Sequence, residues 1–260
     1  MDLGLSGCRA LITGASKGIG LATAKAMAAE GCDVAIAARD PATLADATEQ
    51  IRAACPSAKI CGFSADLSKA DARARLIAAC GDIDILVNNA GANPRGEIDE
   101  IDDEQWRAAW DLKLFGYINM TRDTYKAMKA RGSGVIINVI GNSGERMDAQ
   151  YILGSSGNIA LMGFSRALGG RSPDFGIRVL AVNPGYTMTE RGERMMRVMS
   201  QKDYGTPDQW QKSLKAMNFP FGRMAKPEEV ADVITFMASS RASYVSGTIV
   251  TVDGGAANRG

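Results

Sequence analysis

Leu11-Ile12-Thr13-Gly14-Ala15-Ser16-Lys17-Gly18-Ile19-Gly20 begins as an apolar, β-branched run and changes at Gly14 into a glycine-spaced loop that opens a helix. The G-x-x-x-G-x-G spacing places glycines where a chain needs a tight turn and a close backbone approach. It then aims a helix N-terminus, with its partial positive charge, at whatever sits over the loop. A plain strand-to-helix turn does not account for three glycines at these offsets. The loop therefore reads as a cradle for the pyrophosphate of a dinucleotide, with Gly14, Ser16, Lys17, Gly18, Ile19 and Gly20 as its candidate contacts.

Short apolar runs recur along the rest of the chain, at Ala10–Thr13, Val34–Ala37, Lys59–Phe63, Ile83–Val87, Val135–Ile140, Ile177–Val182 and Thr248–Val252. Helical stretches separate them, and helix starts are marked by Asp40-Pro41, Ser68, Asp102 and Lys226-Pro227-Glu228-Glu229. This alternation predicts an α/β fold: a doubly wound, seven-stranded parallel sheet of the Rossmann type with helices on both faces. No repeat or Pro/Ser-rich linker divides the chain, so residues 1–260 are expected to form one domain.

The segment from 186 to 221 interrupts the rhythm. It carries Met188, Met195, Met196, Met199 and Met217 among Tyr186, Tyr204, Trp210, Phe219 and Phe221. Lying after a strand's carboxyl end, it reads either as a lid over a bulky apolar substrate or as helices packed against a neighbouring subunit. Arg191, Arg194 and Arg197 at intervals of three read either as contacts to an anionic substrate group or as a solvated face paired with Glu190 and Glu193.

Composition narrows the chemistry. The 260 residues include 30 Lys+Arg, 29 Asp+Glu and no histidine. A net charge of +1 without a dense basic run argues against a nucleic-acid partner. Without imidazole there is no Ser-His-Asp or Cys-His hydrolysis and no His-ligated metal site. Proton transfer is left to Tyr, Lys, Ser, Cys or a carboxylate. No apolar stretch approaches membrane-spanning length. The five cysteines contain no C-x-x-C pair, and the start Met-Asp-Leu-Gly-Leu-Ser lacks a basic-then-apolar signal. Reduced thiols, no signal peptide and a cytoplasmic location are the expectation.

The second apolar run ends Ala37-Ala38-Arg39. An NAD site usually presents an acid there to the ribose 2′-hydroxyl, whereas Arg39, with Lys17 in the glycine loop, suits a 2′-phosphate. NADP(H) is expected over NAD(H).

Thr13-Gly-Ala-Ser-Lys-Gly-Ile-Gly20, Asp66-Leu67, Asn88-Asn89-Ala90-Gly91, Asn183-Pro184-Gly185 and Val252-Asp253-Gly254-Gly255, in that order and over essentially the whole chain, resemble the short-chain dehydrogenase/reductase family. The resemblance implies that Asp66 and Leu67 border the adenine and that Asn88, Ala90 and Gly91 line the cofactor cleft. Pro184 and Gly185 would flank it, with Thr187 and Thr189 beside the nicotinamide carboxamide and the pyrophosphate. It also implies a homo-oligomer, tetramer or dimer.

That family usually carries a Ser, a Tyr-x-x-x-Lys and an Asn. Registered on Gly163-Phe164-Ser165-Arg166-Ala167-Leu168, this chain has Gly141 at the serine position, Gly154 at the tyrosine, Asn158 at the lysine and Lys113 at the asparagine. Lysine and asparagine have in effect exchanged places. Tyr151, one helical turn and about 4.5 Å before Gly154, is placed to fill the space left by the missing side chains. A second register, Asn138, Tyr151 and Ser155, also selects Tyr151. The candidate catalytic set is Tyr151 as proton donor or acceptor, Lys113 lowering its pKa or protonating the carbonyl oxygen, Asn158 holding ribose or water, and Ser143, or else Ser155, on the substrate oxygen. Against this stands a reading in which Tyr151 only packs at a helix start and Lys113 only binds ribose. The leading expectation is an NADP(H)-dependent oxidoreductase acting on a carbonyl/alcohol carbon, or an activated C=C or C=N, of a bulky apolar small molecule. A silent NADPH-binding subunit and a non-redox lyase or isomerase remain open.

Overall fold

The computed structural model describes residues 1–91 and 93–259. Seven strands, β1 (Arg9–Thr13), β2 (Asp33–Ala38), β3 (Ile60–Ser64), β4 (Ile85–Asn88), β5 (Gly134–Val139), β6 (Ile177–Pro184) and β7 (Ile249–Val252), pair in parallel in the order β3-β2-β1-β4-β5-β6-β7. The doubly wound sheet expected from the alternation is present, and its strand order reverses between β1 and β4, where such sheets open a ligand crevice.

Each central strand alternates between two cores because both faces of the sheet are covered. Ala10 and Ile12, Ile85 and Val87, and Ile137 and Val139 pack with Met27 of α1 (Gly18–Ala29), Ile51 of α2 (Pro41–Ala54) and Ile234 of α9 (Pro227–Ala238). Leu11, Leu86 and Ile136 face the other way, onto Leu76 of α3 (Ala70–Cys80) and Met120 and Met128 of α5 (Leu114–Arg131). The remaining helices are α4 (Asp103–Leu112), α6 (Ile152–Arg171), α7 (Glu190–Tyr204) and α8 (Trp210–Ala216). None of the helices among the described residues is long and apolar enough to cross a membrane.

Local signals mostly act where the sequence places them. Asp40 accepts from Thr43 N–H at the start of α2, and Asp102 with Gln105 forms a capping box on α4. Two readings shift. Ser68 does not cap α3: its N–H and hydroxyl both donate to Asp66, at 3.0 and 2.8 Å, and the helix begins after Lys69. Ile83 is 4% exposed but precedes β4; it packs in the core, while Asp84 turns back to accept from Arg9 N–H at 2.8 Å. A buried apolar side chain and a strand residue look alike in sequence.

Candidate active site

The glycine loop is drawn tightly against the segment after β4. Gly14 has φ +64°, and a Cβ there would lie 2.7 Å from Ala90 Cα, so no larger residue fits. Asn89 makes this junction: its side-chain amide donates to the carbonyls of Thr13 (3.1 Å) and Gly14 (2.9 Å), and its backbone N–H donates to the Thr13 hydroxyl. α1 then starts at Gly18 with no side chain capping it. Bare backbone at an uncapped helix N-terminus, beside the crevice, fits the pyrophosphate of a dinucleotide. Thr189 stands next to the loop: its Cγ2 would be 3.0 Å from a Cβ at Gly18, while its hydroxyl caps α7 by accepting from Gly192 N–H. Thr187 is buried and donates to Gly185 O at 3.1 Å.

Arg39 is exposed at the end of β2, and Asp66 lies within reach of its charge. Partial burial opposes ionisation of Asp66, but the hydrogen bonds from Ser68 and the charges of Arg39 and Lys69 hold its carboxyl below the usual range. Leu67 is buried, and its carbonyl accepts from buried Arg73 at 2.8 Å, which steadies the Asp66-Leu67 turn. Lys17 is exposed and paired with Glu190 at 2.8 Å, tying the glycine loop to α7. Asn88 corrects an expectation. Rather than lining the cleft it is wholly buried, and its amide donates to Thr121 (3.0 Å) and Asn138 (2.9 Å), locking β4 to α5 and β5 behind the cleft. The adjacent Asn89 and Gly91 reach the crevice.

Beyond the loop the crevice widens into a cavity of about 780 Å³ whose lining includes Lys113, Ser143, Tyr151, Asn158, Pro184 and Gly185. All four candidate catalytic side chains are thus brought together. Asn138 and Ser155, from the second register, are not in its lining. Asn138 is buried with its amide donating to Ser165 (2.9 Å), and the Ser155 hydroxyl bonds to the Asp148 backbone.

Tyr151 is the residue immediately before α6, with φ −136° and ψ 39°. Its ring lies where the side chain of residue 154 would project: a Cβ on Gly154 would overlap the Tyr151 ring carbons Cε1 and Cζ. The ring therefore takes the space that glycine leaves. At position 141 the backbone has φ +128°, which favours glycine, so a serine side chain there would also be strained.

Lys113 sits between α4 and α5, 9% exposed, and donates to Ile140 O at 2.5 Å. Burial, with the nearby Arg191 charge, pulls its pKa from the ordinary 10.5 to about 7. Asn158 is 2% exposed; its amide donates to Ser143 Oγ (2.7 Å) and Gly141 O (3.3 Å), leaving its buried Oδ1 without a partner. Tyr117 donates to Val139 O at 2.9 Å, and burial pushes its phenol up, removing it as an acid near neutrality.

Arg191 is exposed, yet it also lines the cavity rather than pairing with Glu190 or Glu193. Its Nη2 donates to Asn93 O (3.1 Å) and, at 3.4 Å, to the Tyr151 hydroxyl. Arg95 stands on the same tyrosine, 5.7 Å from the ring centroid. Arg197, by contrast, pairs with Glu193 at 2.8 Å as a surface residue would. The Met and aromatic residues of 186–221 divide their surfaces. Met196 and Phe219 form a small core with Met224, against which Met188, Met199 and Trp210 pack, while Met195, Met217 and Phe219 also wall the cavity.

Residues 9–198 match the short chain dehydrogenase family. The chain belongs to that family. It is 34% identical to galactitol 2-dehydrogenase (L-tagatose-forming) of Cereibacter sphaeroides, over 96% of this chain and 95% of that one. It is 33% identical to cis-4-hydroxycyclohexanecarboxylate dehydrogenase of Sinomonas cyclohexanicum, over 95% of each. The crystal structure of L-sorbose reductase from Gluconobacter frateurii complexed with NADPH and L-sorbose superposes with a TM-score of 0.92 at 30% identity, covering 100% of both chains.

Proposed function

We propose that this protein is an NADP(H)-dependent oxidoreductase that interconverts a carbonyl and an alcohol on a bulky small molecule. The observation that carries the proposal is the convergence of Tyr151, Lys113, Asn158 and Ser143 on one cavity that opens beside the glycine loop. Two of the relatives above are dehydrogenases and one a reductase crystallised with NADPH, which supports the same class. When bound, the nicotinamide supplies or accepts the hydride. Arg39, with no acid at Ala38, would hold the 2′-phosphate, and Lys17, already paired with Glu190, adds positive charge nearby.

The chain's own residues handle the proton. Tyr151 gives it to the forming alkoxide oxygen, or takes it from the alcohol in the reverse direction. The Arg191 guanidinium donates to the phenol oxygen at 3.4 Å and so helps to fix its position. Lys113, near neutrality in its titration, can exchange a proton with water at working pH and so return it to the site. Asn158 offers Oδ1 as an acceptor to a ribose hydroxyl or a water and uses its amide to hold the Ser143 oxygen, whose hydroxyl hydrogen is then free to be donated to the substrate oxygen. The Met195, Met217 and Phe219 wall gives the substrate's apolar body its surface, and the segment from 186 to 221 acts as the lid.

The test is label transfer from NADPH deuterated at C4, in each stereochemical form, to a panel of ketones, ketoses, oxo acids, enones and imines, read by mass spectrometry. Deuterium on a carbinol carbon is expected, and its loss with Tyr151→Phe. Tight NADPH binding without transfer to any compound would favour a silent cofactor-binding subunit instead.

A further inference from the structure

Resting on that reading, we propose that the substrate carries a carboxylate, bound by Arg191 with Arg146 and Arg95 beside Tyr151. The chain as a whole is nearly balanced, with 30 cationic and 29 acidic residues. The cavity lining is not. Among the described residues it holds Arg95, Lys113, Arg146, Arg191 and Arg259 against a single carboxylate, Asp148. The cations placed for the 2′-phosphate, Lys17 and Arg39, stand outside the lining, so this excess is additional to them.

Asp148 is already matched, by Arg95 at 2.7 Å. Among the described residues, neither Arg146 nor Arg191 has a carboxylate within ion-pairing distance. Among the described residues Arg191 bonds only through Nη2, to Asn93 O and the Tyr151 hydroxyl, and its Nη1 and Nε can form a fork on a carboxylate. A carboxylate suits the site better than a phosphate. Asp148 stands in the same wall, its repulsion grows with the ligand's charge, and the Met195, Met217 and Phe219 wall asks for an apolar body attached to the anion. The substrate is then an oxo acid or hydroxy acid with a hydrophobic frame. Its reduction consumes one hydride at carbon and one proton at oxygen, and leaves the carboxylate unchanged.

Binding separates this proposal from the redox reading. The NADP⁺-saturated protein is titrated calorimetrically with benzoate, benzamide and phenyl phosphate. Benzoate is expected to bind at least about tenfold more tightly than benzamide and more tightly than phenyl phosphate, with an affinity that falls as salt rises. Arg191→Gln should bring benzoate to the level of benzamide, Arg191→Lys should restore part of the difference, and Arg146→Gln should cost a few-fold. Unchanged NADP⁺ affinity and melting temperature show that a variant is folded. Benzoate binding no more tightly than benzamide, or not at all, overturns the proposal, as does a preference that survives in folded Arg191→Gln or tighter binding of phenyl phosphate. Label transfer is scored independently: acid-selective binding without hydride transfer would remove the oxidoreductase reading and leave the carboxylate site standing.

Discussion

Lys113→Met removes the one ammonium that the fold buries at the site. The lysine's pKa falls from 10.5 to about 7 on folding because burial, and then Arg191, disfavour its charge. The folded protein therefore releases this proton more readily than the unfolded chain does. Between about pH 7 and 10.5 the unfolded state binds more protons, so this group makes stability rise with pH; below about pH 7 its full cost is present. A shift of this size implies that the wild type gains about 2–3 kcal/mol from this group between pH 6 and pH 9, at 1.36 kcal/mol per unit. Methionine fills similar volume and does not titrate. Its failure to donate to Ile140 O adds a constant offset rather than a slope. Urea unfolding of both proteins at the two pH values should show the variant's stability, relative to wild type, falling by about 2–3 kcal/mol on going from pH 6 to 9. A difference constant to within about 0.5 kcal/mol would mean that Lys113 titrates as an ordinary exposed lysine, and the burial argument would fail.

Tyr151→Phe should lower turnover at least about 100-fold with NADPH binding unchanged, measured by steady-state kinetics beside fluorescence titration. Gly154→Ala should do nearly as much because its Cβ evicts the ring, and the double variant should be scarcely worse than either single one; additive losses would show that the ring does not act from that position. Arg39→Ala should weaken NADPH binding about 10–100-fold while leaving NADH nearly unaffected, the range expected for losing a charge-assisted contact. Alkylation at pH 8 followed by peptide mass mapping should modify exposed Cys61 first. Cys32 and Cys80, whose thiols burial pushes up to about 12 and about 11, should react last.

Legibility follows locality. Gly14 to Gly20, the caps at Asp40 and Asp102, and the apolar alternation of the strands each depend on neighbours within a few residues, so their geometry can be read from spacing alone. Asn88 and Asn89 show where this ends. The two are chemically identical and adjacent, and only the end of β4 between them separates one, in the core against Thr121, from the other, which turns to the glycine loop. The Ser68 reading failed for a related reason, since Asp66 offered its hydroxyl a closer partner.

The sequence alone was enough to determine the doubly wound sheet, the glycine loop that opens α1, the missing imidazoles and the identity of Gly141, Gly154, Asn158 and Lys113 as the residues at issue. Only tertiary structure decided that the Tyr151 ring occupies the space at Gly154, that Arg95, Arg146 and Arg191 gather on the same cavity, and that Lys113 loses most of its preference for the proton. Those groups come from separate loops that meet at the carboxyl ends of parallel strands. Desolvation and charge crowding depend on that meeting, and no single segment carries them.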